Sequence, residues 1–193
     1  MQQIGSVAVF CGSRLGHDPA FAAAARELGA GLATAGIRLV YGGGRNGMMG
    51  VLADAVLAAG GTVLGVIPDF LTKWEVAHPG ATEMIVTDST HSRKRHMAEA
   101  ADAFVMLPGG IGTMDETVEI VTWRQLRLHD KPIYVCDVAG SAAPFVTAID
   151  GMVAQGFTGP EVRELFAVVE GVPALLSRLG SAPIHPGVAA ARL

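Results

Sequence analysis

Cysteine is scarce in this sequence, and the two cysteines present are not arranged as a redox pair. Cys11 and Cys136 each lie in a short apolar run, without a CxxC motif or a neighbouring histidine. Buried free thiols are the expected state of such residues, so the sequence excludes a disulfide framework. The six histidines also lack the spacing of metal ligands. We therefore expect no metal site.

Long apolar runs and blocks of positive charge are missing as well. No run approaches the roughly 18 apolar residues that a transmembrane helix needs, and the N-terminal region lacks the cationic and apolar segments of a secretion signal. The net charge is −4, and no basic block is long enough to bind a nucleic acid. These absences predict a cytoplasmic protein that binds neither membranes nor nucleic acid polymers.

Glycine and apolar residues are abundant, and their order along the chain predicts a single α/β domain. Half of the 193 residues are hydrophobic and 25 are glycine, as in a compact enzyme. Apolar runs of strand length lie at 6–11, 37–41, 62–67, 83–87, 104–107, 131–137 and 166–169. Helical stretches lie between and after them, at 18–36, 48–59, 89–101, 113–129, 144–155 and 173–179. Such alternation predicts a Rossmann-like, doubly wound parallel sheet of six or seven strands flanked by helices, a domain over 1–180 and a loose tail over 181–193.

The stretch FVMLPGGIGTMDE, residues 104–116, joins a buried strand, a glycine turn and the start of a helix. Glycines let the backbone approach a ligand closely, and the first turn of a helix offers free N–H groups and a partial positive charge. The turn is therefore a candidate anion site. Glu116 places a carboxylate just inside it, which suggests chemistry beside a phosphate and not binding alone.

A second glycine turn, at 42–47, follows another strand and satisfies G-x-G-x-x-G. Asp69 follows about twenty residues later, so a dinucleotide-binding oxidoreductase is one interpretation. Two tight turns with packing glycines are another interpretation.

The helix over 89–101 carries Arg93 near the carboxyl edge of the sheet, where its planar guanidinium suits a phosphate or carboxylate. A solvated basic face is the alternative for that helix.

Three longer motifs carry a family resemblance. HSRKRHM at 91–97, PGGIGTMDE at 108–116 and TWRQLRLHDKP at 122–132 resemble the LOG ("Lonely Guy") family, cytokinin riboside 5′-monophosphate phosphoribohydrolases. The CGS turn at 11–13 and YGGGxxGxMG at 41–50 are similar to that family too. The resemblance implies hydrolysis of the N-glycosidic bond of an N6-modified adenosine 5′-monophosphate or of AMP, releasing the base and ribose 5-phosphate. It implies a homodimer and no cofactor.

The resemblance assigns catalysis to Arg93 and Glu116. A carboxylate beside an oxocarbenium-like sugar can stabilise the positive charge or take a proton from water, which is the role expected of Glu116. Arg93 is expected to anchor the ribose phosphate end and to keep Glu116 ionised. The remaining substrate contacts that we expect are Ser13, Gly43, Gly44, Glu75, Lys94, Gly109, Gly110, Ile111, Gly112, Thr113, Met114, Asp115 and Thr122.

The sequence departs from the family pattern at two places. The family often has M-H-x-R-K where this chain has THSRK at 90–94, and G-Y-G-T with a second glutamate where Ile111 and Asp115 stand here. Both departures bear on base preference, and neither removes a catalytic group. A non-catalytic nucleotide or cofactor carrier on the same fold stays open as an alternative, because fold alone does not fix function.

Members of this family are often labelled possible lysine decarboxylase, but the sequence argues against pyridoxal phosphate. That cofactor needs a lysine Schiff base and an acidic partner. The only lysines are Lys73, Lys94 and Lys131. Lys94 falls in the nucleotide site, and the others fall in a loop and at a strand start.

The homodimer has its own sequence support: the helical stretch 112–129 carries more apolar residues than one face against a sheet needs, namely Ile120, Val121, Trp123, Leu126 and Leu128.

Overall fold

The structure is a computed structural model that describes residues 4–72 and 77–181, and these contain one sheet of seven parallel strands. The strands are β1 (Ser6–Phe10), β2 (Arg38–Tyr41), β3 (Val63–Pro68), β4 (Glu83–Thr87), β5 (Ala103–Met106), β6 (Ile133–Asp137) and β7 (Ala167–Glu170). The helices are α1 (Pro19–Thr34), α2 (Gly47–Ala58), the short α3 (Asp69–Leu71), α4 (Thr90–Ala100), α5 (Ile111–Gln125), α6 (Ala143–Ala154) and α7 (Gly171–Ser181).

The strand order β4-β3-β2-β1-β5-β6-β7 makes the sheet doubly wound, as predicted. Helices α1, α2 and α7 bury their apolar residues against one face, and α4, α5 and α6 bury theirs against the other. The neighbours of β1 are β2 on one side and β5 on the other. The connections after β1 and β5 therefore leave in opposite directions and open a crevice at the carboxyl edge, where ligands of such sheets bind.

The central strand shows why the strands read as continuous apolar runs. In β1, Val7 and Val9 pack into one core, and Ala8 and Phe10 pack into the other. Successive side chains point to opposite faces, so a strand covered on both sides needs apolar residues at every position. The same alternation carries the Cys11 side chain to the layer of α1 and α2. Cys11 and Cys136 are buried free thiols, as predicted.

Several boundaries differ from those predicted. Helix α5 begins at Ile111 and not at 113, because Gly110 is already the extended N-cap residue. It ends at Gln125 and not at 129, where Arg127 takes a positive φ of 59°. A 3-10 helix over Pro160–Leu165 was not predicted. No helix within 4–72 and 77–181 is long and apolar enough to cross a membrane.

His129, which follows α5, is a buried histidine from which we predict lower stability in mild acid. The ring is buried, lies 5.2 Å from that of Phe104, and donates from Nε2 to the Ile120 carbonyl at 3.0 Å. Burial lowers the pKa of His129, because the imidazolium form would lose its hydration. In the unfolded chain, the histidine has a pKa of about 6.5 and is protonated below that pH. In the folded chain, the same histidine stays neutral to a lower pH.

We expect the free energy of unfolding to fall as the pH is lowered from 7 to 5. The part due to His129 is at most about 1.4 kcal/mol per pH unit, the effect of one proton. His129→Gln, which retains a donor but does not titrate, should lose this part. Urea unfolding of both proteins at several pH values measures it, and parallel pH profiles would show that His129 is not responsible.

Candidate active site

A cleft of about 620 Å³ opens at the crevice between the connections after β1 and β5. One wall is the loop 12–16, and another is the turn 108–111 at the start of α5. The remaining lining side chains are mainly apolar: Phe21, Met48, Met106, Met114, Ser141 and Pro144. The cleft therefore combines an exposed glycine turn with a largely apolar interior, which suits a ligand that has one charged end and one flat apolar end.

Three glycine turns pack against one another beside this cleft. A Cβ at Gly12 would come within 3.3 Å of the Gly109 Cα, and a Cβ at Gly109 would lie 2.9 Å from the Gly12 nitrogen. Gly47, at φ 61°, faces the backbone between Ser13 and Arg14 so closely that a Cβ would overlap it. The Gly12 nitrogen donates to the Pro108 carbonyl at 3.1 Å. Side chains at these glycines would separate the turns that form the cleft.

The N-terminus of α5 is open toward a ligand. A Cβ on Gly110 or Gly112 would meet nothing within 4 Å. The first backbone bond of the helix runs from the Met114 nitrogen to the Gly110 carbonyl, so the N–H groups of the preceding turn have no acceptor within the helix. Free N–H groups and the helix dipole together favour an anion at this place.

Arg93 of α4 and Glu116 of α5 form a shielded ion pair beside the cleft. Arg93 Nη1 lies 3.4 Å from Glu116 Oε1, and each side chain is 12% exposed. The same guanidinium donates from Nε to the Val66 carbonyl at 3.0 Å and from Nη2 to the Gly42 carbonyl at 3.1 Å. Three groups thus fix its plane, and the guanidinium in turn favours the ionised form of the carboxylate. Neither residue belongs to the cleft wall itself.

Gly42 is required for this arrangement, which gives a direct test. A Cβ at position 42 would overlap the Arg93 guanidinium and lie 3.0 Å from Met49 Sδ. Gly42→Ala should therefore displace Arg93 from Glu116. Because catalytic rates depend on the exact position of such groups, the rate of the activity proposed below should fall by at least about tenfold. Gly151→Ala on α6, where a Cβ meets nothing within 4 Å, is the matched control. Steady-state rates of both variants measure the effect. Equal rates for Gly42→Ala and Gly151→Ala would mean that activity does not depend on the position of Arg93.

Lys94 holds α4 to α5 next to that pair. Its Nζ lies 3.0 Å from Asp115 Oδ2 and 2.8 Å from Glu119 Oε2. Burial alone would lower the pKa of Lys94, but hydrogen bonds and charge from Glu119 and Asp115 outweigh it and leave the pKa raised. The ammonium is thus charged and engaged by protein carboxylates. We expected it around the nucleotide, and the structure does not bring it to the cleft wall.

The Cys11 thiol lies near the ion pair, at the carboxyl end of β1. Burial raises its pKa, the Glu116 carboxylate raises it further, and Arg93 acts in the opposite direction. The thiol is therefore protonated at neutral pH and is a poor nucleophile. We infer no catalytic role for it.

The structure brings only part of the predicted set together. Ser13, Gly109, Gly110, Ile111 and Met114 line the cleft. Gly112 and the buried Thr113 lie in the first turn of α5, and Asp115 meets Lys94. Gly43 and Gly44 are instead buried against the segment after β3, where Gly43 O accepts from His78 N at 2.9 Å and Gly44 pairs with Ala77. Thr122 is exposed on the outer side of α5 and donates to Val118 O, away from the cleft. Glu75 lies outside the described residues.

Sequence reasoning missed several contributors. Gly42 was assigned to a dinucleotide fingerprint, to a packing turn or to the family motif, and none of these predicted that its lack of a side chain admits Arg93. Glu119, the second partner of Lys94, was not among the expected site residues. Its spacing of three residues from Glu116 places both on one side of α5, which is the signal that was available. Arg14 and Phe21 line the cleft because of the strand order, which local patterns do not reveal.

The G-x-G-x-x-G pattern is explained without a dinucleotide. Gly42 accommodates Arg93, Gly44 pairs with Ala77, and Gly47 accommodates the loop after β1. The interpretation of tight turns with packing glycines therefore accounts for this segment, and the pattern gives no support to an NAD-dependent oxidoreductase.

The fold and the site define a class of protein, a doubly wound α/β domain with an open helix N-terminus at its switch point and an arginine–glutamate pair beside it. A family model described as possible lysine decarboxylase matches residues 49–179. A probable cytokinin riboside 5′-monophosphate phosphoribohydrolase of Oryza sativa subsp. japonica is 41% identical over 177 residues, 92% of this chain and 79% of that protein. The cytokinin riboside 5′-monophosphate phosphoribohydrolase of Rhodococcoides fascians is also 41% identical over 177 residues, 91% of this chain and 89% of that protein. The chain belongs to the LOG family.

A solved structure agrees on the fold alone. The molybdenum cofactor binding protein from Rippkaea orientalis superposes with a TM-score of 0.69 at 18% identity, covering 94% of this chain and 98% of that one. Identity this low supports the architecture and carries no statement about the ligand.

Proposed function

We propose that the protein is a nucleoside 5′-monophosphate phosphoribohydrolase that cleaves the N-glycosidic bond of AMP or of its N6-modified forms. The products are the free base, a cytokinin where the N6 group is the appropriate one, and ribose 5-phosphate. The observation that carries the proposal is the placement of the Arg93–Glu116 pair beside the open N-terminus of α5. The relatives named above support the same reaction.

The 5′-phosphate is assigned to the turn 109–113. Its free N–H groups and the helix dipole offer donors and positive potential without a metal ion. Binding the phosphate there fixes the ribose at a set distance from α5, with the base directed to the mainly apolar cleft. Holding the sugar in a reactive position converts binding energy into rate.

Glu116 is assigned the charge-stabilising and proton-accepting role. As the bond to the base breaks, the sugar gains oxocarbenium character, and a shielded carboxylate stabilises that charge more strongly than an exposed one. The same carboxylate can take a proton from the attacking water. Arg93 keeps Glu116 ionised and oriented. Because three of its nitrogens already bind Val66, Gly42 and Glu116, we assign Arg93 to the carboxylate and not to the phosphate.

Lysine decarboxylation, the activity in the family model's description, fits the site poorly. A Schiff-base lysine needs a lowered pKa, whereas the pKa of Lys94 is raised. The pKa of Lys131 is lowered by burial, but its Nζ donates to the Ala98 carbonyl at 2.7 Å. Lys131 precedes β6, at the amino edge of the sheet, which is the edge opposite the cleft. Neither of these two lysines supports a pyridoxal phosphate enzyme, and Lys73 lies outside the described residues.

We also propose a homodimer, on a surface that shares only Leu126 with the one first expected. Of the five apolar residues predicted to form it, Ile120 and Val121 are buried in the chain's own core and Trp123 and Leu128 are partly buried. The exposed apolar residues along α5 and at its C-cap are Ile111 (88%), which also lines the cleft, Val118 (41%) and Leu126 (64%). Spaced about two helical turns apart, they share one face, and such faces mark interfaces.

Light scattering at micromolar concentration should give about twice the chain mass of 19.9 kDa. Val118→Arg, which puts a charge on the α5 face, should shift the protein toward the monomer. Met152→Arg on α6, at a residue of similar exposure (46%), is the control and should remain dimeric. A monomeric wild-type protein would rule out the dimer.

Product analysis tests the reaction itself. The protein is incubated with AMP and with N6-isopentenyladenosine 5′-monophosphate, and the base and ribose 5-phosphate are quantified by chromatography. We expect the two products in equal amounts, from at least one substrate, without added cofactor. Tight nucleotide binding without turnover would indicate the carrier alternative and would contradict the proposal.

A further inference from the structure

Arg14 is an uncommitted cation on the wall of the cleft. Among the described residues that line the cleft it is the only one with a charged side chain. It is exposed, and within 4–72 and 77–181 its guanidinium makes no hydrogen bond or ion pair with the protein. Arg93 and Lys94, the other cations near the site, are engaged by carbonyl and carboxylate groups. Among the described residues that line the cleft, a phosphate that carries close to two negative charges thus finds one cation whose donors are not engaged by the protein.

The backbone of Arg14 is held in place although its side chain is not. The backbone at Ser13 and Arg14 lies directly against Gly47, and the Arg14 carbonyl oxygen would be 2.9 Å from a Cβ on Gly12. Gly12 itself packs on Gly109. The loop that carries Arg14 is therefore fixed next to the turn at the start of α5, and Arg14 lines the same cleft as that turn.

We propose that Arg14 is a phosphate-binding residue, which holds the 5′-phosphate from the loop 12–16 while the N-terminus of α5 holds it from the turn 109–113. The guanidinium presents paired N–H donors that match two phosphate oxygens. Helix N–H groups supply dipoles, and Arg14 supplies the formal countercharge. This inference rests on the proposed function for the identity of the ligand, but not for its turnover.

Ribose 5-phosphate is the probe, because it contains the phosphate and sugar but no bond left to cleave. Its dissociation constant is measured by calorimetry for the wild-type protein, Arg14→Gln and Arg14→Lys. Arg26→Gln is the control: Arg26 is an exposed arginine on α1 that does not line the cleft, so the change in net charge is the same. Thermal unfolding establishes that each variant is folded, and AMP hydrolysis is followed in parallel.

We expect Arg14→Gln to weaken binding about tenfold or more, the effect of losing one charge-assisted contact. Arg14→Lys keeps the charge but loses the paired donors of the guanidinium, so its dissociation constant should lie between those of the wild type and Arg14→Gln. Arg26→Gln should have the dissociation constant of the wild type. If AMP is not hydrolysed but binding still depends on Arg14, the proposed function fails and this inference stands. If AMP is hydrolysed while Arg14→Gln binds the probe as tightly as the wild type, this inference fails and the proposed function stands. No binding of the probe to the wild-type protein would overturn the role of Arg14 as well.

Discussion

Replacing Glu116 by glutamine is expected to lower the rate of base release from AMP by about a thousandfold, within the range that a positioned acid–base group contributes. Glutamine has nearly the same shape and still reaches Arg93. It cannot balance the charge of an oxocarbenium-like sugar or take a proton from water. Single-turnover rates with saturating enzyme measure the chemical step, and the affinity for AMP should change much less than the rate.

The control for this change is Glu99→Gln. Glu99 also pairs with an arginine, since Arg95 Nε lies 2.9 Å from its carboxylate, but this pair lies on the surface of α4. The control variant therefore loses a similar ion pair and the same charge without touching the site, and its rate should equal that of the wild type. A Glu116→Gln variant that keeps more than about a tenth of the wild-type rate would remove Glu116 from the mechanism.

Adenosine should be a far poorer substrate than AMP, with kcat/KM lower by about a hundredfold or more. Each charge-assisted hydrogen bond contributes about 1.5–3 kcal/mol, and removal of the phosphate loses at least two of them. Because the phosphate fixes the position of the sugar, we expect kcat to fall as well as KM to rise. Initial rates at saturating and subsaturating concentrations of both compounds separate the two effects.

Adenosine 3′-monophosphate is the matched control ligand. It carries the same charge as AMP at a different position, so a general attraction of anions would favour it over adenosine. We expect it to react no faster than adenosine, because its phosphate cannot reach the turn 109–113 while C1′ lies near Glu116. Comparable kcat/KM for AMP and adenosine would mean that the glycine turns are structural and that the phosphate is not recognised.

The fold was predictable because its signals are local. Each central strand, such as 104–107, is an apolar run of the right length, and the strands β1, β2 and β5 are followed by glycines that allow a tight turn into a helix. The family resemblance also singled out Arg93 and Glu116, and their catalytic role stays a prediction. Their pairing at 3.4 Å follows from α4 and α5 lying on the same face of the sheet, on either side of β5 in sequence.

What local patterns could not give is which side of an element meets which neighbour. Helix α5 has apolar residues almost all round, so its sequence did not reveal that Ile120 and Val121 face the sheet while Val118 faces outward. Likewise, the family resemblance placed Lys94 around the nucleotide, and local patterns did not show that helix packing brings it to Asp115 and Glu119 on α5. Arg14 became a candidate only when the strand order placed its loop beside the turn after β5.

A crystal structure of Glu116→Gln with AMP tests the arrangement at the centre of this account most directly. The substitution leaves the binding groups in place and slows cleavage, so the intact nucleotide should be visible. We predict the 5′-phosphate within hydrogen-bond distance of the N–H groups at the start of α5, C1′ of the ribose facing the side chain at position 116, and the base in the cleft lined by Phe21 and Met48. A phosphate bound elsewhere, or a base in place of the sugar beside position 116, would contradict the account.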